Sequence, residues 1–379
     1  MKPIFKNQLV STVIRDNNVF FYTDEECIEV EDPHGTFLNF VNSLNGENDL
    51  GEISKKSDMS KDEAFELIEQ LNEVGLIENN EHLLSSSLSK EDLERYKSHY
   101  NFFSTISNIN QSKYSFQEKL IQSSIAVLGL GGSSVLLSCL AGMGVGTITG
   151  VDYDKVELGN LNRQFLFSEG DLGKPKTSIC AKSIKKINSN VNFISKNLKV
   201  ENSTGLNHLL ASTDIVINTI DQPSILSTRW VNYACSVKGI PLIQGGTGNN
   251  KLLFQVFYTK HSGCYDCYLL ELLEEHPEYK HELKEMYGKK LEGRNPAYAP
   301  NIAFLAGLIT NEASNILLNT AANMESYTAE YKSFTLEKSI TKNWNKKSYC
   351  PTCSNRSTFD SEPVSLDELI EISEANSIL

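Results

Sequence analysis

Residues 124–154 read SIAVLGLGGSSVLLSCLAGMGVGTITGVDYD. An apolar run of strand character ends on Gly129, Gly131 and Gly132, a helix of small and apolar residues follows, and a second strand closes on Asp152. Glycine suits such a turn because the chain must bend tightly and bring backbone amides up to phosphate oxygens with no Cβ in the way. Amides at the start of the following helix face the anion. An acid about 20 residues on, at the end of the second strand, is placed to bond ribose hydroxyls. The turn by itself is compatible with a redox dinucleotide, although Ser134 stands where the third glycine of that pattern would fall.

The continuation over 152–179, DYDKVELGNLNRQFLFSEGDLGKPKTSI, points elsewhere. It sets Asn160, Arg163, Gln164 and Lys176 just past the second strand. A nicotinamide or flavin enzyme has no need of this polar, cationic cluster, whereas an enzyme that cleaves ATP between the α- and β-phosphates does. Arg163 and Lys176 would neutralise the charge that builds as a carboxylate attacks the α-phosphorus. Asp221 directly follows the strand-like TDIVINTI of 213–220, where ligands bind at the carboxyl end of an open α/β sheet. A carboxylate there suits Mg2+, which takes carboxylate and phosphate oxygens.

Around these segments, apolar strands alternate with helices from 123 to about 248. That order predicts an α/β fold, a doubly wound Rossmann-like sheet that is mainly parallel. After 250 the strands read as antiparallel (KLLFQVFYT), and 301–319 reads as a long apolar helix.

The blocks GLGGSS, DYDKVELGNLNRQFLF, the GxxK of Gly173 to Lys176, and NTID resemble the adenylation domains of the ubiquitin-activating superfamily. That superfamily includes bacterial adenylyltransferases acting on the sulfur carriers of molybdopterin synthase and thiamine synthesis. The resemblance covers about residues 95–354. It implies that Asp152 holds the ribose and that Gly129, Gly131, Gly132, Asn160, Arg163, Gln164 and Lys176 surround the phosphates. It also gives Asp221 the Mg2+ role, makes Arg163, Lys176 and Asp221 catalytic, and implies a homodimer. One position departs from the pattern. Where the superfamily often supplies an arginine from the partner subunit, this chain has Ser98, with Arg95 and Lys97 beside it.

Cys264-x-x-Cys267 and Cys350-x-x-Cys353 form two matched pairs. Four thiolates in paired tight turns make a closed tetrahedral site for structural Zn2+. The 82 residues between the pairs mean the metal would tie distant segments together. Cys27, Cys139, Cys180 and Cys235 read as strand or helix interiors, where cysteine acts as a small hydrophobe. No cysteine lies between Cys267 and Cys350. Superfamily members that form a thioester or persulfide usually carry a nucleophilic cysteine in that region. Its absence favours chemistry that ends at or beyond an acyl-adenylate without covalent catalysis.

Four regions follow. Residues 1–82 predict a small α+β, winged-helix-like module: short alternating strands over 8–31, then helices near 35–45, 50–57 and 60–75, the last opened by a Ser60/Glu63 capping box, and a short closing strand. Residues 83–118, rich in Ser, Asn and Lys, predict a linker with a helix. Residues 119–355 carry the adenylation domain with its four-cysteine zinc site, and 356–379 an acidic C-terminal tail. The charged stretch 268–301 is a candidate lid above the nucleotide.

A net charge of −13 argues against a sequence-independent nucleic-acid surface. No apolar run of about 18 residues predicts a membrane span, and nothing at the N-terminus reads as a secretory signal, so a cytoplasmic location is expected.

The N-terminal strand-and-helix pattern resembles the leader-recognition modules of enzymes that modify ribosomally made peptides, which bind an extended leader at a sheet edge. With the GCYDC and NPAYAPN segments and no catalytic cysteine, the chain resembles the microcin C and pantocin A peptide-modifying enzymes. The preferred expectation is ATP-dependent activation of a carboxyl or amide of a precursor peptide. Two alternatives are an adenylyltransferase acting on a ubiquitin-like sulfur carrier, and a non-catalytic peptide-docking partner.

Overall fold

In the computed structural model, which describes residues 1–24, 26–289, 296–321, 323–354 and 361–376, the chain divides after Lys119 into two units.

The first unit contains β1 (Pro3–Phe5), β2 (Ser11–Arg15), β3 (Asn18–Tyr22), β4 (Cys27–Glu31) and β5 (Ile77–Asn79). β2, β3 and β4 form an antiparallel meander, and β1 pairs with β5. The β2–β3 turn puts Asp16 and Asn17 at positive φ, which these residues tolerate in a tight hairpin. Helices Thr36–Ser43, Leu50–Ser57 and Lys61–Glu73 follow. Asp49/Glu52 and Ser60/Glu63 capping boxes start the last two. Val19 and Phe21 of β3 turn inward onto Phe37, Phe40, Ile53 and Ile68.

Residues 83–118, read from the sequence as a linker with a helix, fall within the first unit. They lie mostly in helices Lys90–Arg95, Lys97–Phe103 and Lys113–Gln122. A buried polar network joins them to the strands. Lys6 Nζ donates to the carbonyls of Gly75, Ser104 and Ser107, each at 2.7 Å. Glu78 accepts from Ser107 at 2.7 Å and pairs with Lys113 at 2.7 Å. Composition suggested a linker with one helix, because the polar contacts that tie the segment to the strands follow no periodicity.

The second unit is built on one eight-stranded sheet of β6 (Ser124–Leu128), β7 (Thr147–Val151), β8 (Asn192–Lys196), β9 (Ile215–Asn218), β10 (Leu242–Thr247), β11 (Lys251–Phe257), β12 (Ser326–Lys332) and β13 (Lys338–Trp344). The order is β13-β12-β11-β10-β9-β6-β7-β8. From β10 to β8 all pairs are parallel, and from β10 to β13 they are antiparallel. The fold is therefore the α/β, doubly wound arrangement expected, with an antiparallel extension.

Alternate residues of β6 feed two cores. Ile125 and Val127 join helices Ser134–Met143, Lys176–Ile187 and Ala299–Leu318 on one face. Ala126 and Leu128 join helices Leu226–Lys238, Tyr265–Glu275 and Leu366–Asn376 on the other. Strand order reverses between β7 and β9 on either side of β6, which opens a crevice at the carboxyl ends of the strands.

The expected acidic tail includes an ordered helix. Leu366, Leu369 and Ile370 are buried in the second core, so its apolar stripe outweighs its acidic composition. Residues 355–360 and 377–379 lie outside the described residues. Among the described residues, no helix is long and apolar enough to cross a membrane.

Candidate functional site

The turn after β6 is held by a residue from the next parallel strand. Gly129 takes φ +85°, and a Cβ there would come within 2.8 Å of Thr219 Oγ1 and 3.0 Å of the Thr219 carbonyl carbon. Thr219 Oγ1 donates to the Gly129 carbonyl at 2.7 Å, and Ser133 Oγ donates to the same oxygen at 2.9 Å. Glycine is thus required at 129 both by backbone sign and by space. A Cβ on Gly132 would meet nothing within 4 Å, so the openness there is not consumed by the protein itself.

Asp152 follows β7 and is buried. Its Oδ2 accepts from the amide of Leu130 and its Oδ1 from that of Asp154, both at 2.7 Å. Each oxygen keeps further acceptor capacity. Lys176, the first residue of its helix, is 4% exposed and pairs with Asp154 at 3.0 Å. Its amide also donates to the Asp154 carbonyl. Gln164 is 2% exposed, and its Oε1 has no hydrogen-bond partner in the protein. A buried amide oxygen left this way is costly unless a ligand or water reaches it. Arg163 Nη1 donates to the Gly159 carbonyl and Asn162 Oδ1, both at 2.9 Å. Asn160 Oδ1 caps the Glu157 amide at 3.0 Å. Asp221 lies three residues past β9 and is exposed.

All nine residues named from the sequence for the nucleotide (Gly129, Gly131, Gly132, Asp152, Asn160, Arg163, Gln164, Lys176 and Asp221) line one cavity of about 580 Å³. That volume is in the range of small-molecule sites. The geometry offers a tight amide turn, a fixed carboxylate at one end, two cations, and a second carboxylate at the mouth. Such a set can bind a polyphosphate nucleotide and stabilise charge on it.

Several lining residues escaped the sequence reading. Asp154 was signalled only by its place in DYD, two residues from Asp152. Thr219 carried no signal beyond NTID. An apolar wall of Leu136, Ile302, Leu305, Ala306 and Ile309 comes from two helices far apart in sequence. Behind the site, a ladder of buried and half-buried polar side chains crosses the sheet. Asn218 donates to Gln244 at 3.3 Å, Gln244 to Gln255 at 2.7 Å, and Gln255 to Thr328 at 3.0 Å, with Trp344 Nε1 donating to Thr328 at 2.7 Å. Asn218 Oδ1 in turn accepts the amide of Ile220 at 3.2 Å, beside Asp221.

The candidate lid is only partly realised. Residues 268–286 lie mostly in helices Tyr265–Glu275 and Tyr279–Met286, with Leu269, Leu270, Leu273 and Leu283 buried in the second core. Pro296 and Ala297 do line the cavity, while 290–295 lie outside the described residues.

Cys264, Cys267, Cys350 and Cys353 are all buried, and their sulfurs lie within 4.8 Å of one another. Cys264 and Cys350 Sγ are 3.7 Å apart, and Cys267 and Cys353 Sγ 3.4 Å. Disulfide sulfurs would be near 2.05 Å. Thiolates at about 2.3 Å from a tetrahedral zinc stand close to the observed separation. The cluster fits a zinc site.

Of the other cysteines, Cys180 and Cys235 are buried and Cys139 half-buried, but Cys27 is exposed. It begins edge strand β4, whose alternation did not reveal which face meets the core. Burial, with the Asp152 charge beneath the cavity adding to it, pushes the Cys180 thiol up to about 12.

A ThiF family model matches residues 103–355. The chain is 31% identical over 153 residues to the molybdopterin-synthase adenylyltransferase of Salmonella typhimurium, which covers 40% of this chain and 60% of the relative. The chain spans only 22% to 60% of the length of the curated relatives it matches. Among solved structures, E. coli MccB with AMPCPP and MccA is similar at a TM-score of 0.72 and 21% identity, covering 93% of this chain and 100% of MccB. PaaA is similar at a TM-score of 0.61 and 24% identity, covering 73% of this chain and 90% of PaaA. At these identities the structures show a shared fold.

Proposed function

Because the chain belongs to the ThiF family, we propose that it is an ATP-dependent adenylating enzyme that activates a carboxyl or amide group of a ribosomally made precursor peptide. The carrying observation is that the likeness to MccB, solved with AMPCPP and MccA, extends over 93% of this chain. That span takes in most of the N-terminal unit, whereas the match to the Salmonella adenylyltransferase covers 40% of this chain.

In this reading the leader docks on the module of residues 1–82, adding a strand at a free edge of the β2–β3–β4 meander. Asp152 holds the ribose. The amides after Gly129 and the side chains of Asn160, Gln164, Arg163 and Lys176 hold the phosphates. Asp221 would carry Mg2+, which neutralises phosphate charge when bound. A peptide carboxylate oxygen attacks the α-phosphorus, the bond from that phosphorus to the bridging oxygen breaks, and pyrophosphate leaves. Arg163 and Lys176 offset the charge that moves onto the departing oxygens. Lys176 would exchange Asp154 for phosphate, since a cation this buried needs an anionic partner at each stage. An internal or external nucleophile then displaces AMP, giving a cyclised, dehydrated or conjugated product. The four cysteines hold Zn2+ as a structural closure, and the enzyme works as a cytoplasmic homodimer.

The relationship to the Salmonella molybdopterin-synthase adenylyltransferase supports a second reading, activation of the C-terminus of a ubiquitin-like sulfur carrier. Incubating the enzyme with ATP, Mg2+ and either candidate short precursor peptides or a folded sulfur-carrier protein, followed by mass spectrometry and ATP–pyrophosphate exchange, separates the two. Peptide-dependent exchange with a modified peptide supports the first. Exchange that responds only to a folded carrier supports the second. Formation of ADP rather than AMP replaces adenylation with phosphoryl activation.

A further inference from the structure

Arg229, in the first turn of helix Leu226–Lys238, is fully buried. A buried guanidinium requires a well-formed partner. Asp266, also fully buried, provides it, with Nε to Oδ1 at 2.9 Å and Nη2 to Oδ2 at 3.2 Å. Asp266 stands between Cys264 and Cys267. Thr352, between Cys350 and Cys353, donates its hydroxyl to Asp266 Oδ2 at 2.5 Å. The interiors of both cysteine pairs therefore meet at the Asp266 carboxylate, which in turn holds Arg229.

The third contact of Arg229 leads towards the nucleotide cavity. Nη1 meets the Tyr287 hydroxyl at 3.1 Å. The next two residues clasp Ser224, with the Gly288 amide donating to the Ser224 carbonyl and the Ser224 amide to the Lys289 carbonyl, each at 3.1 Å. Ser224 is three residues past Asp221. Beside it, Ile225 is held at φ +61°, a left-handed conformation that a β-branched residue keeps only when its surroundings impose it. The Arg229 amide closes the loop by donating to the Ile225 carbonyl at 3.0 Å.

We propose that Arg229 is a positioning residue for Asp221: with Asp266 and Tyr287 it clamps the 221–226 loop and makes the cysteine cluster set the placement of the magnesium-binding carboxylate. This rests on the adenylation reading for its catalytic consequence, though the clamp itself does not. The test uses the full-length protein. Tyr287→Phe removes one hydrogen bond and keeps the ring. Because truncating one partner of a buried ion pair can prevent folding, the paired variant is Arg229→Met with Asp266→Leu, an apolar replacement of the kind that restores packing.

Hydrogen exchange should speed up about tenfold in peptides covering 221–226 and 287–289 of Tyr287→Phe, with β9 amides unchanged. In ATP–pyrophosphate exchange, the half-saturating Mg2+ concentration should rise about tenfold in both variants, while zinc content stays at the wild-type value. A purely structural role would lower the folded fraction and leave the Mg2+ dependence where it was; that result, or unaltered loop exchange, overturns the proposal. If the wild type shows no pyrophosphate exchange, the adenylation reading falls, and hydrogen exchange still decides the clamp.

Discussion

Single residues in this protein are constrained from two directions, by what they must do and by what surrounds them. Gly129 is set by Thr219 as much as by a ligand, so Gly129→Ala should destabilise the chain by about 1–3 kcal/mol in denaturant unfolding before any effect on binding is counted. Arg163 and Asp221 contrast with it, because neither is buried in the core. Arg163→Ala and Asp221→Ala should leave unfolding midpoints nearly unchanged and lower ATP–pyrophosphate exchange by about 10²–10³-fold, the loss typical when one charge-stabilising group is removed. Cys180 gives a pH test. With its thiol raised to about 12 by burial and the Asp152 charge, only about 1 in 10⁴ is thiolate at pH 8, so iodoacetamide should label Cys27 and spare Cys180. The sign for stability follows. The folded state binds the extra proton, so this contribution is complete below the unfolded value near 9 and is lost as pH rises towards about 12. Labelling of Cys180 in the native protein at pH 8 would contradict it.

At the scale of elements, local signals and tertiary requirements separate cleanly. The Ser60/Glu63 box opens its helix where the pattern predicts, since capping is settled within four residues. Strands β6, β7 and β9 are legible because they are apolar runs between helices, buried on both faces. The polar ladder from Asn218 to Trp344 is not legible, because each of its side chains comes from a different strand and only the strand order brings them together. Gln244 sits in the middle of that ladder. Gln244→Leu should leave the Asn218 and Gln255 amides short of a buried partner and cost about 2–3 kcal/mol, read by chemical denaturation. An unchanged midpoint would mean the ladder is dispensable. The helix Leu366–Asn376 teaches the converse: the acidic stretch with its amphipathic ELIEI core allowed a peripheral helix or a frayed tail, and a stripe of three buried apolar residues docks the helix.

For the whole molecule, the zinc site should behave as a structural closure. The two cysteine pairs connect the helix after β11 to the segment after β13, so metal removal frees both ends of the antiparallel extension. A strong chelator should lower the unfolding temperature by about 10 °C or more, with one zinc recovered per chain, as expected when a site contributes several kcal/mol to a unit of this size. Cys350→Ser should reproduce the shift, and a metal-free wild type with the same unfolding temperature would rule the role out. The division after Lys119 was half legible. Strands followed by helices marked a separate N-terminal module, but the polar stretch after it looked like a linker because the Lys6, Glu78 and Lys113 network that folds it in spans about a hundred residues of sequence.

The amino-acid sequence on its own picked out the alternating fold, nine residues that line one cavity and four cysteines that cluster. Each of those rests on a short block whose spacing carries its own chemistry: a glycine turn at a strand end, a cationic run past the next strand, paired cysteines. Tertiary structure alone decided the apolar wall, the Asp154 partner of Lys176, the face on which Cys27 lies, and the clamp from the cysteine cluster to the loop of Asp221. Those depend on which distant segments meet. The meeting is governed by strand order and by burying polar groups only where a partner waits, and neither is written in any local pattern.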